Sequence, residues 1–190
     1  MSPETNNQQA RTVTAADHGK LDLKALTLYA ILLAAGFVLN MTVSKFFSGI
    51  TGGLLSPEFI LAALCLEILI IQPNVGQSAI LGLLAGVVIQ ITASVKGPDL
   101  LAEPAAAVVM GLLVGALSKG GARKVLPLIG TFVVTCISGL IYAAVVAFFI
   151  QRNPALIAVM APVVAATGAI NGIIVQALFI PIKKALKLND

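Results

Sequence analysis

Long apolar runs alternate with short polar interruptions along the chain. The runs cover roughly residues 25–44, 56–72, 76–95, 104–118, 125–150 and 155–182. A helix needs about 20 mostly apolar residues to cross a bilayer. The pattern therefore predicts six membrane-spanning helices, the second and fourth short and the fifth long enough to tilt. The interruptions "SGITGG", "QPNVGQ", "KGPDLLAEP", "SKGGARK" and "QRNP" are rich in Gly, Pro and polar residues, as loops are. No soluble domain fits between the runs. The expected fold class is all-α integral membrane, a six-helix domain over residues 25–190. Residues 1–24 are polar and lack an apolar core, so they read as a mobile cytoplasmic tail rather than a signal peptide.

Composition supports this reading. The chain is 58% hydrophobic and 11% charged, where a soluble domain has about a quarter charged residues. Its net charge of +4 takes its meaning from orientation. With both termini in the cytoplasm, nine basic residues lie inside (Arg11, Lys20, Lys24, Lys119, Arg123, Lys124, Lys183, Lys184, Lys187) and three outside (Lys45, Lys96, Arg152). That bias predicts cytoplasmic N- and C-termini. It directs the basic side toward anionic lipid and away from any role with nucleic acid. Cys65 and Cys136 sit in apolar runs and read as inert small hydrophobes.

Small residues four apart mark helix seams, because close approach replaces the hydrophobic drive inside lipid. Gly82/Gly86, Gly111/Gly115 and Gly168/Gly172 form such pairs, with Ala30/Ala34 and Ala143/Ala147 as alanine versions. Packing within the bundle accounts for the glycine pairs. Ala30, Ala34 and Ala35 on the first span are the candidates for docking another membrane protein.

In this topology the second, fourth and sixth spans begin outside, at "SPE", "EPA" and "NPA". A polar residue followed by Pro suits a helix start. The positive ends of such helices favour anions, a substrate carboxylate among them. Glu58 and Glu103 at the same level suit an ammonium group, or else complement the helix dipoles. Phe46, Phe47, Phe59, Phe148 and Phe149 cluster there too, either as an interfacial belt or as the walls of an aromatic-ligand pocket.

Asn40, Glu67, Gln90, Asn171 and Gln176 lie inside spans, where polar groups need a partner or a function. Pro162 is expected to kink or break the last span. Asn171, beyond the break, then reads as a substrate contact or as a hydrogen bond between helices. Glu67 lies too deep for an outward pocket. It reads either as a structural acid, neutral and hydrogen-bonded to a group such as Gln90 on the next span or reaching the inner interface, or as a proton-coupling site.

The segments "GGLLSPEFIL", "GLLAG" through "EPAAAV", "IGTFVV" with the following "SG", and "PVVAATGAIN" with "FIPI" together resemble the bacterial tryptophan transport protein family. More widely they resemble the substrate-binding S components of energy-coupling factor (ECF) transporters. The alanine-rich "AILLAAG" is similar to the stretch where S components meet their transmembrane coupling subunit. The resemblance implies a six-helix S-component-like bundle in a bacterial plasma membrane. It also implies tryptophan or a related small nutrient as substrate, with an ECF transmembrane coupling subunit and ATPases as partners. The candidate binding residues are Asn40, Glu58, Phe59, Glu103 and Asn171.

A self-sufficient proton-coupled carrier using Glu67 and a membrane scaffold are the competing classes. The chain does not read as an enzyme. Its single His is His18, and no hydrolase, metalloprotease or phosphate-binding motif is present. No cofactor or metal is expected.

Overall fold

A computed structural model describes residues 21–52, 55–117 and 124–186. Of the expected tail, residues 1–20 lie outside the described residues, and so do Lys119, Arg123 and Lys187. Asp22 caps the first helix, its side chain accepting the Ala25 N–H at 2.8 Å.

The described residues form six helices, which we label α1 (Leu23–Ile50), α2 (Phe59–Ile71), α3 (Val75–Gln90), α4 (Asp99–Leu117), α5 (Leu126–Ile150) and α6 (Ala155–Ala185). The architecture is all-α, and no strand occurs among the described residues. α1, α4, α5 and α6 are long and apolar enough to cross a membrane. α2 and α3 have 13 and 16 residues, or about 20 and 24 Å at 1.5 Å per residue. Large apolar side chains such as Ile31, Val38, Val87, Leu101, Ile129 and Ile173 point outward. A soluble monomer does not tolerate that much exposed apolar surface, and the chain has the build of a multi-pass membrane protein.

α2 is the centre. Every residue from Ile60 to Ile71 is buried, and α2 packs against all five other helices. It stops at Gln72, which adopts the left-handed conformation (φ 55°). The chain then turns directly into α3 through a capping box between Asn74 and Gln77. Tyr29 on α1 donates its hydroxyl to the Leu81 carbonyl on α3, 2.6 Å away, and ties these helices together beside α2.

The other seams run through small residues. A Cβ on Gly82 would lie 2.6 Å from the Glu103 carbonyl oxygen, and one on Gly86 2.8 Å from that of Asp99, so α3 and α4 touch backbone to backbone. Gly172 brings α6 equally close to the Leu128 carbonyl on α5. Gly111 faces Ser78, whereas Gly115 faces open space and belongs to no seam.

Several sequence expectations change. α6 runs unbroken through Pro162 and Pro181, because proline is tolerated in a membrane helix whose neighbours and local adjustments satisfy the freed carbonyl. α4 starts at Asp99, not at Glu103. Its opening signal is the Pro98-Asp99 pair, and Pro104 lies inside the helix. At "SPE" the helix cap is Glu58 rather than Ser56. At "NPA" the helix cap is Pro154, and Asn153, one residue earlier, accepts the Ala155 N–H at 3.2 Å.

Candidate functional site

The end of the bundle at which α2 and α4 begin holds a cavity of about 340 Å3. Parts of all six helices line it, α2 through Leu61, together with the segments entering α2 and α4. One wall is acidic, with Glu58, Asp99 and Glu103. Apolar lining comes from Ile89, Met160, Val163 and Val164.

The chain builds the acidic wall in three steps. First, α1 changes at Asn40 into a single π-helical stretch, Asn40–Ser44, a local irregularity often found at functional sites. Asn40 there donates through Nδ2 to Glu58 Oε1 at 2.9 Å and accepts the Phe59 N–H through Oδ1 at 3.0 Å. Second, Asn171, fully buried on α6, accepts the Glu58 N–H at 3.1 Å. It donates to the Glu58 carbonyl at 3.2 Å and to Thr135 Oγ1 at 3.4 Å. Two amides from distant helices therefore fix the entry to α2 and hold the Glu58 carboxyl at the cavity.

Third, α5 approaches α4 so that the Ser138 hydroxyl donates to Glu103 Oε1 at 2.8 Å. Glu103 is 2% exposed, and its other oxygen, Oε2, has no hydrogen-bond partner. Gln90 steadies the α3–α4 loop that rims the opening. Its Oε1 accepts the Gly97 N–H at 2.8 Å, and its backbone carbonyl accepts from Lys96. The three carboxyl groups are close enough to interact electrostatically.

Of the residues singled out in the sequence, Asn40, Glu58 and Glu103 line the cavity. Asn171 stands behind its wall as a support. Phe59 contributes its N–H to that support, and its ring is not part of the lining. Of the two readings of the phenylalanines, the pocket wall does not apply to this cavity, which none of the five lines. Phe46, Phe47, Phe148 and Phe149 are all exposed. Ala30, Ala34 and Ala35 are exposed on the outer face of α1, opposite the buried Ala25, Tyr29, Leu33 and Gly36.

Glu67 departs from its expected pairing. It is fully buried and neither carboxyl oxygen has a hydrogen-bond partner. Gln90 cannot reach it, since α2 and α3 are antiparallel and Glu67 sits near the turn while Gln90 ends α3. About 15 residues of helix, roughly 22 Å, separate Gln90 from the turn.

Asp99, Ser138, Thr135 and Tyr142 also line the cavity, and sequence reading missed them. Thr131, Thr135, Ser138 and Tyr142 recur at spacings of four, three and four, the stripe of one helix face. That polar stripe in an apolar span was the available signal. Compared with protein-family models, with curated proteins and with solved structures, the chain matches none.

Proposed function

We propose that this chain is a membrane substrate-capture protein that takes up a small nutrient bearing an ammonium group. The observation that carries the reading is Glu103. A buried carboxyl oxygen without a partner, in the wall of a cavity of about 340 Å3, is a seat for a charged donor. Small-molecule pockets span about 300–1,000 Å3, and this volume suits a molecule of amino-acid size. Tryptophan is the ligand that the family resemblance points to.

In this reading all six helices form an S-component-like bundle in a bacterial plasma membrane, with both termini cytoplasmic and the cavity open to the outside. A transmembrane coupling subunit docks on Ala30, Ala34 and Ala35, and its ATPases supply the energy. The exposure of those three small residues on one helix supports the docking face. The chain itself carries out no chemical conversion.

Glu67 favours a second reading. A buried acid with two unpartnered oxygens is what a proton-coupled carrier would need in its membrane interior.

The purified chain should be stabilised against heat by at least one member of a panel of amino acids and small amines, and Glu103→Gln should remove that effect. A panel in which no member shifts the unfolding temperature sinks the capture reading. Radiolabelled uptake with and without an energy-coupling module separates the two mechanisms, since only a self-sufficient carrier works without the module.

A further inference from the structure

Acceptors and donors around the cavity are out of balance. Glu58, Asp99 and Glu103 present carboxyl groups to it, and Glu103 Oε2 is buried and unpartnered. The hydroxyls of Ser48, Ser94 and Tyr142 line the cavity and can donate, but they carry no charge. The amide and helix-start donors beside it are already engaged. Asn40 and Asn171 use their amide N–H groups on Glu58 and Thr135. The Glu58 and Phe59 N–H groups at the start of α2 bind those same two amides. At the start of α4, the N–H groups of Leu100, Leu101 and Ala102 close onto the Gly97 and Pro98 carbonyls. One cationic side chain, Lys45, lines the cavity among the described residues, and it is exposed.

We propose that the ligand is an amine with an apolar body and no carboxylate. This rests on the capture reading and narrows its substrate class. The ammonium group seats against Glu103, with Glu58 and Asp99 nearby. The body lies on Ile89, Met160, Val163 and Val164. A buried carboxylate is tolerable when a charge pairs with it and hydrogen bonds complete its shell, and the ammonium supplies both to Oε2. A substrate carboxylate would face three carboxyl groups, and its one cationic partner among the described lining residues is Lys45, which is exposed. A metal ion is a poorer occupant, since the described residues contain no group of three or more His, Cys, Asp or Glu arranged to hold one.

Tryptamine and tryptophan share the indole and the ammonium group and differ by the carboxylate, so they separate the two ideas. Binding of each to the purified full chain in nanodiscs is measured by calorimetry. Tryptamine should bind at least about tenfold more tightly than tryptophan. Glu103→Gln should weaken tryptamine about ten- to a hundredfold, the scale of one charge-assisted hydrogen bond. Asp99→Asn gives a second reading should Glu103→Gln fold poorly, and it should weaken tryptamine in the same direction. Tryptophan binding as tightly as tryptamine or more tightly, with Lys45→Gln removing that advantage, overturns the amine proposal and leaves the capture reading standing. Binding of neither probe, nor of 1,5-diaminopentane, overturns both.

Discussion

Asn171 grips Glu58 across 113 residues of sequence by both faces of one amide, its Oδ1 accepting the Glu58 N–H and its Nδ2 donating to the Glu58 carbonyl. The pair fastens α6 to the entry of α2 at the edge of the cavity. Asn171→Ala leaves both backbone groups of Glu58 without these partners in a poorly hydrated place. It should destabilise the protein by about 2–3 kcal/mol, read as a lower unfolding temperature in detergent. Wild-type stability in Asn171→Ala would remove the bracing role.

Glu67 leads to the opposite sign. A polar group buried without partners costs stability, and an apolar replacement of similar shape relieves that cost. Glu67→Leu should therefore be as stable as the wild type or more stable by about 1–3 kcal/mol. This reverses the outcome expected if Glu67 were bonded to Gln90. A clear drop in unfolding temperature for Glu67→Leu would mean that a partner for the acid exists after all.

The seams predict a contrast between two glycines. A Cβ at Gly172 would stand 2.7 Å from the Leu128 carbonyl oxygen, while at Gly115 it would meet nothing within 4 Å. Gly172→Ala should cost about 1–3 kcal/mol by overpacking. Gly115→Ala should be neutral or slightly stabilising, as alanine is the better helix former. Equal effects of the two changes in a thermal unfolding series would contradict the α5–α6 contact.

Ala30→Trp and Ala34→Trp test the proposed docking face. Both positions are exposed on α1, so the isolated protein should keep its unfolding temperature and its ligand affinity. Uptake should fall severalfold in cells that supply a coupling module, because bulk prevents close helix approach. Parallel loss of binding and uptake would mean a folding defect and end the docking idea.

Orientation is open to a direct check. In a cysteine-free background, Cys at Lys96 should react with an impermeant reagent only from outside and Cys at Lys184 only from the cytoplasm, following the basic-residue bias. Labelling of Lys184→Cys from outside would invert every statement about the cavity mouth.

The helices were legible because an apolar run bounded by Gly, Pro and polar residues has few other outcomes. α5 and α6 begin and end close to where the runs do. What the sequence hid was rotation. Apolar residues surround these helices on nearly all sides, so ordinary amphipathic contrast does not say which face turns inward. The Ser138–Glu103 bond joins residues 35 apart on two such helices, and no local pattern announces it. Phe59 shows the same gap. Its N–H engages Asn40 while its ring is not part of the cavity lining, a distinction no sequence pattern makes. Glu67 was misassigned through register: two polar residues on consecutive spans were paired without allowing for the antiparallel turn at Gln72–Asn74.

The complete burial of α2 has a mechanical consequence. A helix gripped on every side has no free face along which to slide or rotate, since close-packed interiors resist such displacement. α2 then acts as an axle. Any opening of the cavity must come from the helices that have one side in lipid, turning or tilting about a member that stays in place. A spin label on α1 or α6 would register that motion, and one on α2 would record stillness.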